Sequence, residues 1–529
     1  MTSSKSKGLL NESLRDRKYF QLWRRFYEPL IILKILGGTR GQHSARPVQQ
    51  SPVHRFLDNL AYLCDHLKGG PTTSAVGLEN APERFNFWVA SNEPKKSEKS
   101  APFLTSFLRD VRIIADSPAS QKASLREKLV RRSVEFANNR VKKEAKMLTK
   151  DISRYMQFFK GQEDTELFKW LGNFREKEPL ELCYIAYQER DCVMMKRLSS
   201  LLQNPSDLSV EDRQSVAIKD VMHRLGRLAH HIRAPQQIIE DVSSHPGLRN
   251  VSDEFKVYAI GPQLVIDRPR AEPDIHIDNI MVRMLPCGGF DARYKEAAAI
   301  MNQRFNIVTR FKAKYDDNNF NPLMHAEIQV LEHFWGQRQF FNDERYIGCS
   351  KPACYCCHLY MQHHPSKCVV PQTSRKVYVN WGLRALPQGS RDAEYKHQRD
   401  MLNEMAKSIR NDALDQILRK TSAAPWHPDS QTGFTLRAPS IRDEARQPAL
   451  PTETIRMVDL GKYQLYLLTG TVDMATDSDG SQSGSVSRYA SGSKHSSLVS
   501  IGDDNAQSLG NLSWTDDEDS DSSDGGARL

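Results

Sequence analysis

Four residues between positions 325 and 357 have the types and the spacing of a catalytic zinc site. One residue separates His325 from Glu327, and two residues separate Cys354 from Cys357. Histidine nitrogen and cysteine sulfur are common zinc ligands in proteins. Because residues i and i+3 of a helix share a face, Cys354 and Cys357 can bind one ion together with His325. Three protein ligands leave a fourth position open for water, as in catalytic rather than structural zinc sites.

Glu327 lies close to the predicted metal without being needed as a ligand. Zinc lowers the pKa of a bound water toward about 7, which makes hydroxide available at neutral pH. A glutamate beside that water can take its proton and pass it to a ring nitrogen, and then to departing ammonia. His-x-Glu followed by Cys-x-x-Cys is the signature of zinc deaminases that act on nucleobases. The two halves, about 27 residues apart with a predicted strand between them, are more specific together than either alone.

Each half of this motif must lie at the start of a helix for the ligands to converge. Apolar residues after Glu327 recur at helical spacing, which predicts a helix over 324–335. Cys354 begins a second predicted helix, over 354–362, where the helix dipole favours the thiolate form. A short predicted strand at 345–350 leads into that helix.

Helices and strands alternate in the prediction on both sides of the motif. The other predicted helices are 294–305 and 391–418, and the other predicted strands are 306–315, 376–381 and 452–468. This alternation indicates an α/β fold with a three-layer α/β/α arrangement. We predict a zinc-dependent domain over 250–470, with its core at 290–390, after a mostly α-helical region at 1–245. Residues 471–529 have few apolar anchors, and we predict a disordered Ser/Asp-rich acidic tail there.

The charge distribution favours an anionic ligand. The chain carries a formal net charge of +9. The predicted tail holds 11 acidic against 3 basic residues, so it carries −8 and leaves +17 on the rest. A basic body with an acidic tail suits nucleic acid, for which the tail can compete; a tail that only confers solubility is the alternative. Basic residues at 131–146 either follow a phosphate backbone or form a solvated helix face.

Cysteine use and apolar runs indicate a reducing, intracellular compartment. The nine cysteines form no regular disulfide framework. The longest apolar run, 29–33, is too short to cross a bilayer, and residues 1–8 lack the apolar region of a secretory signal. We therefore expect a location in the cytoplasm or nucleus and no membrane partner. The sequence leaves the oligomeric state open.

The residues around the motif resemble the toxin-related nucleic acid and nucleotide deaminases expanded in fungi, which belong to the cytidine deaminase-like superfamily. The resembling stretches are Met324-His325-Ala326-Glu327, residues 346–357 and Lys376-Val377-Tyr378, with Trp381 and Pro387 after them. The resemblance implies that the three zinc ligands and the glutamate proton shuttle have the same roles here. Proline usually stands directly before the first cysteine in that superfamily. Here Ala353 holds that place and Pro352 lies one position earlier, which we interpret as a subfamily mark.

The resemblance implies a hydrolytic deaminase acting on a nucleobase in single-stranded nucleic acid, with cytosine favoured over adenine. The alternatives are a free nucleoside or nucleotide deaminase and a catalytically inactive, zinc-containing binding module. A flipped base would stack on aromatic rings near the motif, although each of these rings suits core packing too. The candidates are Trp335, Phe340, Phe341, Tyr355, Tyr360 and Trp381. The asparagine-rich loop at 318–321 either holds a sugar or base edge or forms a turn.

A closed structural zinc site is the alternative to a catalytic one. Further metal-ligating residues lie near the motif, namely Cys349, Cys356, Cys368, His358, His363 and His364. A structural site does not explain why Glu327 stands beside the metal-binding histidine at a helix start. We interpret Cys349 and Cys356 as packing residues, and His363 and His364 as surface residues at a helix end.

Overall fold

The described part of the chain includes both halves of the motif. The computed structural model describes residues 16–39, 50–160, 164–201, 211–267, 275–286 and 288–421. These residues belong to one unit, Met1–Arg437. The predicted strand at 452–468 and the predicted acidic tail at 471–529 lie outside the described residues.

Helices make up most of the described chain. Those before the motif are α1 (Arg17–Ile35), α2 (Pro52–Cys64), α3 (Pro94–Asp116), α4 (Ala119–Phe136), α5 (Asn138–Phe158), α6 (Thr165–Gly172), α7 (Pro179–Glu189), α8 (Val193–Leu201), α9 (Glu211–Ser244), α10 (Pro246–Val251), α11 (Ile277–Met284), α12 (Ala292–Phe305) and α13 (Ile307–Asp316). Those that carry or follow it are α14 (Ala326–Phe334), α15 (Tyr355–His363) and α16 (Tyr395–Leu418), with 3₁₀ turns at Phe341–Asp343 and Gly389–Arg391. The strands are β1 (Ser74–Asn80), β2 (Phe85–Ser91), β3 (Phe255–Ala259) and β4 (Gly348–Cys349). The fold is therefore mixed α/β, as predicted.

The described strands form one mixed sheet in the order β3-β2-β1-β4. β1 and β2 are an antiparallel hairpin, β4 pairs antiparallel with β1, and β3 pairs parallel with β2. The prediction of a mostly helical region at 1–245 did not include β1 and β2. The first five residues of β1 are buried on both faces of the sheet, so the polar and apolar alternation that marks a half-buried strand is missing. The three-layer arrangement remains a prediction.

The predicted strand at 306–315 is wrong, because these residues form the helix α13. Asn306 has the left-handed backbone angles φ 49° and ψ 45°, which end α12 and turn the chain into α13. The buried residues Ile307, Phe311 and Tyr315 recur every four positions, which is helical spacing.

The predictions for the segments around the motif are confirmed for the helices and in part for the strands. The predicted helices correspond to α12, α14, α15 and α16 with small shifts in their bounds. The predicted strand at 345–350 is shorter and consists of β4. The predicted strand at 376–381 is reduced to an isolated bridge between Leu323 and Trp381.

The core joins the N-terminal helix to the motif helices. One cluster of buried side chains contains α1 together with α11 to α16. A second cluster of buried side chains packs α2 and α3 against the sheet. A third cluster lies among the helices from α4 through α9. The domain boundary predicted near residue 245 separates β1 and β2 from β3 and β4, although all four strands belong to one sheet. The apolar run at 29–33 is buried in α1, and none of the described helices combines the length and apolar character that a bilayer span requires.

The contact between β4 and α2 leaves no space for a side chain at Gly348. A Cβ atom there would overlap the backbone carbonyl of Leu57 and lie 2.7 Å from its Cβ atom. Because backbone atoms cannot rotate away, we expect Gly348→Ala to lower the free energy of unfolding by roughly 1–3 kcal/mol. Gly172→Ala is the control, since a Cβ atom there meets nothing within 4 Å. Equal denaturation midpoints for Gly348→Ala and wild type would contradict this packing.

Candidate active site

The first half of the motif lies where α14 begins, directly against the end of β2. His325 is the N-cap residue of α14 and has extended backbone angles, φ −68° and ψ 151°. The side-chain amide of Asn92 accepts a hydrogen bond from the Ala326 N–H at 3.0 Å. Gln329 Nε2 donates to the Ser91 carbonyl at 3.0 Å and to the Met324 carbonyl at 2.7 Å. These bonds tie the start of α14 to the sheet.

The second half of the motif lies where α15 begins. Cys354 is the N-cap residue, and its sulfur accepts a hydrogen bond from the Cys357 N–H at 3.4 Å. The preceding Ala353 is fixed by its N–H, which donates to the Gln372 carbonyl at 2.8 Å. Its carbonyl accepts from the Ser374 N–H at 2.7 Å. A helix N-terminus therefore carries each half of the motif. The start of α14 is anchored by side-chain hydrogen bonds of Asn92 and Gln329, and the start of α15 by backbone hydrogen bonds of Ala353.

The three predicted ligands converge on one point. His325 Nδ1 lies 3.4 Å from Cys354 Sγ and 3.3 Å from Cys357 Sγ, and all three ligand atoms lie within 4.8 Å of one another. Zinc bonds of about 2.0–2.1 Å to nitrogen and about 2.3 Å to sulfur require ligand atoms roughly 3.5 Å apart in a tetrahedron. All three side chains are buried. The site could therefore hold a metal ion with little movement of its side chains.

The electrostatics of the two sulfurs suit a cation. Burial alone would raise the pKa of Cys354, but the hydrogen bond from Cys357 and the charge of His325 outweigh it and lower that pKa to about 6. Burial and the negative Cys354 raise the pKa of Cys357 well above its usual range. Two buried thiolates side by side repel each other, and a bound cation would remove that repulsion.

Glu327 lies in the first turn of α14, where the sequence predicts the proton shuttle. Its side chain is buried, with 6% of the residue exposed. It hydrogen-bonds to Cys357 and helps to raise the pKa of that thiol. A carboxylate in this position is next to the predicted zinc but on a different helix from the two sulfurs. It is therefore placed to exchange protons with a water molecule or substrate group beside a metal ion that His325, Cys354 and Cys357 would hold.

No additional ligand closes the site among the residues that the structure describes. The group of convergent ligand atoms there consists of His325, Cys354 and Cys357, without the further cysteines and histidines near the motif. Cys356 is completely buried in the core with α1, as the sequence analysis predicted. His364 is buried as well, so its assignment to the surface was wrong. Three ligands and an adjacent glutamate favour a catalytic site over a structural one.

Trp381 is a buried core residue that also contacts one of the predicted zinc ligands. Its indole N–H donates to Cys357 Sγ at 3.1 Å, and none of its surface is exposed. Phe26 of α1 packs on the ring with 5.3 Å between centroids. The hydroxyl of Tyr27 donates to the Trp381 carbonyl at 2.8 Å. The N-terminal helix thus holds Trp381 against the sulfur, although α1 lies about 350 residues earlier in the chain.

We expect Trp381→Phe to weaken zinc binding by about 10- to 100-fold, which is the usual effect of losing an outer-sphere hydrogen bond. The variant keeps an aromatic ring but removes the N–H that stabilises the Cys357 thiolate. Competition with a chromophoric chelator measures the affinity. Trp170→Phe is the control, because that indole donates to Glu189 in the α6–α7 region. Unchanged affinity in Trp381→Phe would show that this bond does not support the metal.

Tyr378 is an exposed aromatic side chain beside His325, and the sequence analysis named it in the family resemblance but not among the stacking candidates. Its ring lies 6.0 Å from the His325 ring, edge to face, and 43% of the residue is exposed. Its neighbours Val377 and Val379 are buried. The alternation of apolar and polar-tipped side chains at 377–379 therefore predicts that Tyr378 is exposed. The aromatic candidates chosen from sequence are different. Phe341, Tyr355, Tyr360 and Trp381 are buried core residues, Phe340 is half-buried, and Trp335 lies just beyond the other end of α14.

The asparagine-rich loop at 318–321 forms a turn. The Asn319 N–H donates to the Asp317 carboxylate at 2.8 Å, and the Asn321 amide donates to the Asn318 carbonyl at 3.3 Å. Asn92, by contrast, contacts the backbone of the motif. Nothing in the sequence near His325 could indicate Asn92, because 233 residues separate the two positions.

The basic residues at 131–146 are in part internal. Arg140 is buried, and its guanidinium pairs with the Glu144 carboxylate at 3.2 Å. It also donates to the Asp65 carbonyl at 2.6 Å. Arg131 and Arg132 pair with acidic neighbours on the surface. Arg140 is therefore a structural residue, and it does not contribute to a phosphate-binding helix face.

Comparison with models of known protein families gives a match at the motif itself. Residues 324–385 match the model of the OTT_1508_deam-like deaminase family. The match contains both halves of the motif, together with Tyr378 and Trp381. No curated protein and no solved structure matches the chain. The chain therefore contains a deaminase-like domain with a His-Cys-Cys cluster that could bind zinc.

Proposed function

We propose that the chain is a zinc-dependent hydrolytic deaminase that acts on a nucleobase in single-stranded nucleic acid, with cytosine preferred to adenine. The observation that carries the proposal is the convergence of His325, Cys354 and Cys357, with Glu327 buried beside them. The deaminase family match over 324–385 supports the reaction class. We also propose that the domain belongs to the toxin-related deaminases expanded in fungi, on the motif residues named above.

The chemistry follows from the positions of the side chains. Zinc held by His325, Cys354 and Cys357 would supply Lewis acidity at the base and lower the pKa of the attacking water. Glu327 accepts a proton from the attacking water and delivers it to the ring nitrogen of the base. The same carboxyl group then carries the second proton to the amino group, which leaves as ammonia. The net reaction consumes one water and replaces the amino group of the base by a carbonyl oxygen.

Tyr378 is proposed to hold the base. An exposed ring edge-on to His325 offers a face on which a flipped or single-stranded base can stack. Stacking tolerates different bases, so it contributes affinity rather than the choice between cytosine and adenine. The net charge of +17 on the residues before 471 would attract the phosphate backbone of a polymer.

Ammonia release from a set of polymers and monomers tests this proposal. The zinc-loaded protein is incubated with single-stranded DNA, single-stranded RNA, cytidine, deoxycytidine and adenosine, each at low and at high salt. We expect release from a polymer, with a rate that falls as salt rises because phosphate contacts are screened. Release from free nucleosides alone would support the monomer deaminase instead. Zinc-loaded protein without activity on any substrate would support a binding module.

We expect Tyr378→Ala to weaken the apparent affinity for single-stranded substrate by roughly 5- to 150-fold, the equivalent of about 1–3 kcal/mol for a stacked base. Zinc content stays at the wild-type level, because Tyr378 supplies no ligand atom. Phe158→Ala removes a similarly exposed ring from α5 and should leave affinity unchanged. A Tyr378→Ala variant with wild-type KM would remove Tyr378 from the binding surface.

A further inference from the structure

A second group of metal-ligating side chains lies at the other end of the α14–α15 helix pair. Glu332 is at the end of the second turn of α14, His364 is the C-cap residue of α15, and His397 is in the first turn of α16. Glu332 follows His325 by seven residues, and His364 follows Cys357 by seven. At about 1.5 Å per residue, each is roughly 10 Å further along its helix. The group is therefore separate from the candidate active site.

The ligand atoms of this group converge. Glu332 Oε1 lies 3.1 Å from His364 Nε2 and 3.9 Å from His397 Nε2, and all three atoms lie within 4.8 Å of one another. Zinc with bonds of about 2.0–2.1 Å to oxygen and nitrogen places neighbouring ligand atoms roughly 3.3 Å apart. The two observed distances lie on either side of that value. A small rotation of His397 would complete the geometry.

Both histidine nitrogens are buried and face the Glu332 carboxylate, with which each forms an ion pair when protonated. In the part of the chain that the structure describes, neither His364 Nε2 nor His397 Nε2 has a partner of acceptable hydrogen-bond geometry, although both lie near the same carboxylate. A cation between the two nitrogens and the carboxylate would satisfy all three groups.

Neighbouring side chains would orient these ligands. Tyr360 OH donates to Glu332 Oε1 at 2.8 Å. Ser366 contacts His364 Nδ1 with its hydroxyl at 2.8 Å and with its N–H at 3.2 Å, which fixes the ring with Nε2 toward Glu332. The ring of Trp335 covers the group, 5.0 Å from the His364 ring and 6.2 Å from the His397 ring.

We propose that Glu332, His364 and His397 form a second binding site for a divalent transition-metal ion, with zinc as the test ion. Two imidazoles and one carboxylate suit zinc and other first-row divalent ions. The side chains of Glu332 and His397 are each 29% exposed, so an ion and a water ligand can reach the site from solvent. The ion would join α14, α15 and α16, and so stabilise the helices whose starts carry the active site. The alternative is a metal-free network in which His364 and His397 pair directly with Glu332.

Metal content separates the two alternatives. Full-length protein is dialysed against zinc, and bound zinc is measured by mass spectrometry. We expect two equivalents in wild type, one in His397→Ala, one in Cys354→Ala and none in the double variant. His363→Ala, next to the proposed ligand His364, is the control and should keep two. One equivalent in wild type, or two in His397→Ala, would overturn the proposal.

Cobalt(II) substitution identifies which site each variant has lost. Cysteine thiolates give cobalt a charge-transfer absorption that histidine and carboxylate ligands do not give. We expect His397→Ala to keep this absorption while losing one equivalent, and Cys354→Ala to lose it while keeping one. Circular dichroism verifies that each variant is folded. This readout does not depend on deaminase activity, so failure of the second site and failure of the proposed function are distinguishable. Loss of the thiolate absorption in His397→Ala would contradict two independent sites.

Discussion

Glu327→Gln is expected to keep zinc and fold while lowering turnover by about 100- to 10,000-fold, the usual contribution of general acid–base catalysis. Glutamine has nearly the same shape and keeps one acceptor oxygen, so the buried position in the first turn of α14 tolerates it. What it loses is the ability to take a proton from water and pass it on. Steady-state kcat on the best substrate and zinc per chain are the two measurements.

Glu344→Gln is the matched control, because it replaces another glutamate by glutamine at a position that lies between the two halves of the motif in the sequence. Its side chain is 35% exposed and contacts His54 of α2, outside the candidate site. This control should retain wild-type turnover. Turnover by Glu327→Gln within a few-fold of wild type would refute the assignment of Glu327 as the proton shuttle. Loss of zinc in Glu327→Gln would mean that the carboxylate supports the metal directly.

Cys354→Ala is expected to have the largest effect on the metal. It removes one of three ligands, so zinc affinity at the active site should fall by more than the roughly 10- to 100-fold caused by losing an outer-sphere contact. It also removes the N-cap acceptor of the Cys357 N–H. Because metal binding is coupled to folding, we expect a lower thermal midpoint than in wild type and a smaller further decrease on adding a chelator.

Cys356→Ala is the matched control, since it removes a buried thiol from the same turn. Cys356 packs in the core and supplies no atom to the ligand group. It should cost a modest amount of stability and leave zinc content unchanged. If Cys354→Ala and Cys356→Ala bind equal amounts of zinc at the thiolate site, Cys354 is not a ligand.

The convergence of His325 and the two cysteines was predictable because it depends on local sequence. Residues next to each half fix the starts of α14 and α15 through caps and apolar periodicity, and both helices are confirmed. The strand before Cys354 was predictable for the same reason. Local pattern was insufficient at 306–315, where one left-handed asparagine separates two helices and the short helix can be read as a strand.

The remainder of the site depends on contacts between distant segments. Asn92 and Phe26 support the motif from positions 233 and 299 residues before His325. β1 and β2 belong to the sheet beside α14. The sequence analysis did not predict these two strands, because long helices follow them and dominate the pattern of that region. Tyr378 alone was accessible to sequence reasoning, through the buried valines on either side of it. Partners of this kind need either coordinates or covariation between positions.

Sequencing of single-stranded DNA and RNA after incubation with the protein tests the central claim most directly. The protein is used in three forms: zinc-loaded, stripped by a chelator, and stripped and then reloaded with zinc. We predict base conversion by the loaded form, its loss after stripping and its return on reloading, with no conversion by Glu327→Gln in any form. Conversion that persists after all zinc is removed, or that Glu327→Gln performs as well as wild type, would contradict a zinc-dependent deaminase at this site.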